Sequence, residues 1–211
     1  MSQEIKKLIE GNKQFRKNFN TALFDELVQY GQKPKTMIVA CSDSRVDPAR
    51  VFNCQPGDLF VIRSMANLVP PCEDNNAYHG TSATLEFGTS FLEVEHIIIF
   101  GHTQCGGIRA LIEKNEKVWN KKPYNFIAKW MEIAQPAYDK VAAEHDHISL
   151  EKKITLCEQY TLINSLHNLH GFPWVQERIA HGTLSLHAWY LDLATGAVHI
   201  YDQKNKTWLS E

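Results

Sequence analysis

The chain has no apolar run approaching the roughly 20 residues that a membrane-spanning helix needs, so no membrane partner is expected. It has almost no net charge. Lys and Arg number 22 against 24 Asp and Glu, a formal balance of -2, and nothing in that balance calls for nucleic acid or an anionic surface. Internal repeats and low-complexity tracts are absent, which excludes solenoids and long linkers. The opening residues Met1 to Lys7 lack both an apolar stretch and a small-residue cleavage pattern. They do not read as a secretory signal, and a cytoplasmic location is expected. No Cys-x-x-Cys pair occurs. The five cysteines, Cys41, Cys54, Cys72, Cys105 and Cys157, are odd in number and widely spaced, which argues against a disulfide framework. Buried thiols and metal thiolates remain as competing readings for each.

What is present is the composition of an ordinary globular chain: 211 residues, 44% hydrophobic and 22% charged. That length fits one domain with a sizeable core, with or without an appended arm. Ile5, Leu8, Ile9, Phe15 and Phe19 recur at close to helical spacing, and Leu23 to Tyr30 suggests a second short helix ending at Gly31. We expect a helical arm over residues 1–30 and an α/β domain over 31–211. Lys35–Cys41, Leu59–Arg63 and His96–His102 are apolar at consecutive positions and rich in β-branched residues. Strands buried on both faces of a parallel sheet have that pattern. Helical patterns cover Thr81–Phe91, Gly107–Lys114, Tyr124–Ala143 with a break or kink at Pro136, Ser149–Leu169 with Ser149 as N-cap, and Val175–His181. Two strands around Gly196, Thr183–Asp192 and Ala197–Asp202, predict a hairpin at the sheet edge. The alternation predicts an α/β fold with a mainly parallel central sheet flanked by helices.

Ligands of such sheets bind outside the carboxyl ends of the strands. The first buried run ends in Cys41-Ser42-Asp43-Ser44-Arg45, and the third in Gly101-His102-Thr103-Gln104-Cys105-Gly106-Gly107. If the two strands are parallel neighbours, Cys41, His102 and Cys105 can converge. Two thiolates and one imidazole suit zinc, and three protein ligands leave a fourth position open, as in catalytic zinc. The bland alternative is a buried thiol at each site. Asp43 and Arg45 can form a charge-assisted pair at the same strand end. On their own they would read as a structural ion pair. Beside an open metal site the aspartate can also accept a proton from metal-bound water.

These blocks, together with Pro56-Gly57-Asp58-Leu59-Phe60-Val61-Ile62-Arg63 and Ala66-Asn67-Leu68-Val69, occur in the order and spacing of the β-class carbonic anhydrases, which the chain resembles over roughly residues 30 to 112. Leu186 to Asp192 with Thr195-Gly196 also resembles that family's closing strands. The resemblance implies zinc on Cys41, His102 and Cys105, with Asp43 and Arg45 as the catalytic dyad. It implies reversible hydration of carbon dioxide to bicarbonate and a proton by zinc-bound hydroxide. It further implies substrate contacts from Gln32, Phe60, Met65, Phe87 and Gly106, and a homodimer or homotetramer. Ile38 stands where the subgroup closed by its aspartate carries tryptophan, and Gln32 stands where the open, plant-like subgroup carries glutamine. The open form is therefore expected, with Asp43 a fourth zinc ligand only if a closed state exists. Phe87 replaces a common tyrosine, and Ser64-Met65 replaces asparagine and a smaller residue; both bear on rate more than on activity. Arg63 is expected to support the site structurally, and Cys54, Cys72 and Cys157 to pack. No proton shuttle stands out among His79, His96 and His181. Two rival functions remain: hydrolysis of carbonyl sulfide or carbon disulfide on the same scaffold, and a non-catalytic zinc or redox sensor with a closed site.

Overall fold

A computed structural model describes residues 1–73, 75, 77–114 and 125–210. The chain divides into two compact units, Met1–Lys33 and Pro34–Glu211. In the first, α1 (Gln3–Lys17) starts where the Ser2 hydroxyl accepts the Ile5 amide, and Arg16 and Lys17 lie in its last turn, where the helix dipole favours cations. α2 (Thr21–Tyr30) starts where the Asn20 side chain accepts the Leu23 amide, and it stops at Gly31, whose φ of 74° a side chain would resist. Phe19 stacks on Phe24 at 4.3 Å, and Phe15 meets both rings edge-on.

The second unit is built on a six-stranded sheet in the order β2-β1-β3-β4-β5-β6. Its strands are β1 (Thr36–Cys41), β2 (Leu59–Ser64), β3 (His96–His102), β4 (Ser185–Leu191), β5 (Val198–Asp202) and β6 (Thr207–Ser210). The first four are mutually parallel, and β5 and β6 continue antiparallel. The fold is α/β with a mainly parallel sheet, as expected. The three apolar runs are its three adjacent strands β2, β1 and β3, with β2 at the edge. The closing hairpin exists, but β6 extends it by one more strand at the edge.

Alternation along the strands sorts the core. Met37, Val39, Ile97, Ile99, Leu186, Ala188 and Tyr190 face one side. There Leu162, Leu166 and Leu169 of α8 (Leu150–Leu169) and Val175 of α9 (Pro173–Ala180) cover them. Ile38, Ala40, Ile98 and Phe100 face the other side, against Val46, Val51 and Phe52 around the short α3 (Pro48–Val51). The first buried segment past β2 is a 3-10 turn, Met65–Asn67, with Ala66 and Asn67 both at positive φ. α4 (Gly80–Glu86) runs straight into a π-helical turn, Phe87–Phe91. α5 (Gly106–Ile112) follows β3. The stretch read as one helix from Tyr124 begins outside the described residues and is then two helices, α6 (Phe126–Met131) and α7 (Gln135–Glu144), joined by a 3-10 turn over Glu132–Ala134. Pro136 sits in the first turn of α7, where its missing N–H costs nothing. Ser149 does occupy the N-cap of α8, yet its side chain makes no capping bond. Among the described residues no helix is long and apolar enough to cross a membrane.

Candidate metal centre

Strand order fixes where a site can form. From β1 the chain crosses to β2 on one side, and from β3 it crosses to β4 on the other. The crevice at this switch lies beyond the carboxyl ends of β1 and β3. Cys41 is the last residue of β1 and His102 the last of β3. Gly101 lets α8 close on that strand end, since a Cβ there would lie 2.8 Å from Leu162 Cδ2. Cys105 follows after a tight loop in which Gln104 takes a φ of 58°. The ligand atoms of Cys41, His102 and Cys105 all lie within 4.8 Å of one another, and all three residues are buried.

The donor set fits a zinc ion. His102 Nδ1 lies 2.8 Å from the carbonyl oxygen of Thr103, which can only accept, so Nδ1 holds the proton and Nε2 keeps its lone pair. Nε2 is buried and has no hydrogen-bond partner. A buried polar atom left unmatched is costly, and a cation at that lone pair accounts for it. Two sulfurs and one imidazole are a zinc set. The neighbouring Cys105 sulfur and His102 hold the Cys41 thiol well below its usual range against the effect of burial. The Cys41 sulfur and burial push Cys105 far up. A cation binding both sulfurs as thiolates releases their protons. For His102, burial opposes protonation, but attraction to Cys41, Thr103 and Asp43 prevails and its pKa is raised.

Asp43 stands at the rim, its side chain 18% exposed, with Oδ2 4.0 Å from His102 Nε2. Arg45 grips both its oxygens, Nε donating to Oδ1 at 2.9 Å and Nη2 to Oδ2 at 2.7 Å. The Arg45 amide also donates to Oδ1. The guanidinium therefore holds the Asp43 carboxyl well below the usual carboxylate range. Arg45 Nη2 further donates to the Gln104 carbonyl at 3.0 Å, tying the dyad to the Cys105 loop. Arg63, expected to support the site, reaches from the end of β2 to the carbonyls of Cys41, Asp43 and Val46.

Of the remaining expected residues in the second unit, Met65 and Gly106 lie with the cluster that holds Cys41 and Cys105, and Phe60 packs in the other core cluster. Met65 lies by the metal-side core, where a Cβ at Gly107 would come within 3.3 Å of its Cε, and the Trp130 indole donates to its carbonyl. Gly106 opens α5 with free space beside it, since a Cβ there would meet nothing within 4 Å. Phe60 and Phe87 contact each other at 5.9 Å, and Phe87 stacks on Phe91. Phe60 pairs in register with Met37, four positions below Cys41, roughly 13 Å along the strand. Gln32 belongs to the first unit and is exposed. Cys157 is buried and pushed up to about 12 by that burial, as a packing thiol should be, whereas Cys72 is exposed.

Sequence reasoning missed Glu158. It is 4% exposed, accepts the Cys105 amide on Oε1 at 2.7 Å and the Tyr190 hydroxyl on Oε2 at 2.5 Å. The available signal was a carboxylate set among Ile154, Cys157, Thr161, Leu162 and Ser165 on the buried face of α8.

A thiolate–imidazole–thiolate group at a sheet switch point, beside an arginine-held aspartate, is positioned to bind zinc. Comparison with known proteins agrees: the carbonic anhydrase family model matches residues 36–198. Beta carbonic anhydrase 3 of Arabidopsis thaliana is 34% identical over 188 residues, which are 89% of this chain and 72% of that one. The chloroplastic beta carbonic anhydrase 5 of the same plant is 38% identical over 159 residues, 75% of this chain. The match spans only 51% of that relative's length. The structure of the β-carbonic anhydrase CcaA superposes with a TM-score of 0.91 at 31% identity, covering 99% of this chain and 100% of that one. A tetrameric β-carbonic anhydrase of Sordaria macrospora gives 0.80 at 26% identity, covering 94% and 97%. The chain belongs to the carbonic anhydrase family, in its β class.

Proposed function

We propose that this chain hydrates carbon dioxide reversibly to bicarbonate and a proton, with zinc on Cys41, His102 and Cys105. The observation that carries this is the orphaned, buried Nε2 of His102 grouped with two sulfurs, while the nearest carboxylate is held aside by an arginine. Zinc, when bound, acidifies a coordinated water and so supplies a nucleophile near neutral pH. Its two thiolate ligands offset its charge, so activity should favour mildly alkaline conditions. Asp43 is kept ionised by Arg45 and presents an acceptor on the open side of the group. Such a carboxylate orients a proton-bearing oxygen and does not itself carry the proton away at neutral pH. His102 is fixed in its tautomer by Thr103, and Arg63 holds the Cys41–Val46 loop that carries Asp43.

The resemblance assigns Phe60 and Phe87 to the apolar substrate pocket, yet within one chain Phe60 lies four register positions from Cys41. A second copy of the chain contributing this pair would reconcile the two. That supports a homo-oligomer, a dimer or a tetramer. Five unpaired cysteines suit a reducing compartment such as the cytoplasm.

Stopped-flow carbon dioxide hydration, run beside a sulfide-release assay on carbonyl sulfide, tests the reading. We expect hydration to dominate, and to fall about 100-fold or more in Asp43→Ala at unchanged zinc content. Normal turnover in that variant would remove Asp43 from the mechanism. Sulfide release without hydration would give the site another substrate.

A further inference from the structure

The Gln104–Cys105 peptide group is held at both ends by side chains. Its carbonyl oxygen accepts Arg45 Nη2 at 3.0 Å, and its N–H donates to Glu158 Oε1 at 2.7 Å. Gln104 sits at a φ of 58°, in the left-handed region that a glutamine seldom occupies unless its surroundings impose it. Glu158 comes from the middle of α8, 53 residues away in sequence, and its other oxygen is taken by the hydroxyl of Tyr190 from β4. Both side chains are nearly inaccessible, at 4% and 3%. A carboxylate so buried needs a reason, because the desolvation it suffers is larger than two hydrogen bonds ordinarily return. No Lys or Arg forms an ion pair with it among the described residues; its two recorded partners are a metal ligand's amide and a phenol.

We propose that Glu158 and Tyr190 form a positioning pair for the metal centre, which fixes the Gln104–Cys105 peptide and with it both the Cys105 sulfur and the anchoring point of Arg45. The inference rests on the zinc reading above. The reasoning is geometric. With Gln104 in a strained conformation, the loop from His102 to Cys105 would relax unless the Cys105 amide had an acceptor at a fixed point. α8 supplies a fixed point because Leu162, one turn further on, packs against Gly101. Tyr190 in turn restricts the carboxylate to one rotamer. The same peptide then presents its carbonyl to Arg45, so the buried pair and the exposed dyad are linked through one amide group. Partners that orient ligands in this way typically govern metal affinity by about 10- to 100-fold.

The test uses full-length protein and four forms: wild type, Glu158→Gln, Glu158→Met and Tyr190→Phe. Zinc affinity is measured by competition with a chelator, and thermal unfolding is recorded with and without zinc. Glu158→Gln can still accept the Cys105 amide through its carbonyl oxygen and should stay within about threefold of wild type. Glu158→Met leaves that amide without an acceptor and should lose about 10- to 100-fold in zinc affinity. Tyr190→Phe should fall between them. The rise in melting temperature that zinc produces should shrink in the same order, because a ligand's stabilisation grows with the logarithm of its affinity. A merely structural role would lower both melting temperatures equally and leave the rise unchanged; that result overturns the proposal. So does zinc affinity in Glu158→Met within threefold of wild type, or a loss in Glu158→Gln as large as in Glu158→Met. If Glu158→Met does not fold, Tyr190→Phe decides: wild-type zinc affinity there also overturns it. Failure of the wild type itself to bind zinc refutes the underlying metal reading instead.

Discussion

Gly101→Ala tests how tightly the fold holds the metal centre. A Cβ at position 101 would stand 2.8, 3.0 and 3.1 Å from Cδ2, Cδ1 and Cγ of Leu162. Ordinary contact begins near 3.4 Å, so something must give by about 0.6 Å. Leu162 is wholly buried and cannot swing into solvent. Either α8 lifts from the sheet or β3 shifts at the residue preceding His102. Overpacking of this size costs about 1–3 kcal/mol. In a chain of this length each kcal/mol moves the melting temperature by roughly 2–4 °C. Leu162→Ala alone should cost about 2–5 kcal/mol through the cavity it leaves. The double variant should cost clearly less than the two singles combined, by about 0.5 kcal/mol or more, because the new methyl occupies space the leucine vacated. Urea unfolding of the four proteins at one protein concentration gives the cycle, and zinc affinity should follow the single variant downward. Strict additivity, or a Gly101→Ala protein as stable as wild type, would refute the packing argument.

Arg63→Lys replaces a planar fork by a point donor and should lower stability by about 1–3 kcal/mol, read by denaturant unfolding, because carbonyls of Cys41, Asp43 and Val46 lose their shared partner. His187 is half-buried, and its pKa is lowered by that burial and by nearby His96. Its contribution to stability is therefore complete above the unfolded value of about 6.5 and is lost as pH falls through that value and below. Wild type should weaken from pH 7 to pH 5 more than His187→Gln does in urea titrations at each pH; parallel decline would be contrary. With zinc bound, a thiol reagent should react fast with exposed Cys72, more slowly with half-buried Cys54 and not with Cys157. Stripping the metal should add Cys41, whose neighbours favour its thiolate, as a further reactive thiol, and an unchanged count would contradict its role as a ligand.

Much of the centre was legible because its determinants are local. The strands β1 and β3 are runs of buried residues, and Cys41 and His102 terminate them. Parallel pairing of β1 and β3 then brings those ends side by side. Cys105 follows within one loop. What stayed hidden depends on contacts across long separations or on geometry that composition does not encode. Glu158 looks like any helix carboxylate until Tyr190 and the Cys105 amide are found around it. The strand β6 is short and largely exposed, with no apolar alternation to mark it. The π-helical turn at Phe87–Phe91 widens the helical repeat where spacing rules assume a constant one, so the stretch reads as ordinary helix. Phe60 and Phe87 entered through family resemblance, and only the strand register shows how far Phe60 stands from Cys41 in one chain.

Reconstitution of metal-stripped protein by stepwise zinc addition, with carbon dioxide hydration measured at every step, bears most directly on the centre formed by Cys41, His102 and Cys105. Activity should climb linearly and stop at one zinc per chain. A protein that takes up its full equivalent of zinc and still leaves carbon dioxide untouched would contradict the enzymatic account.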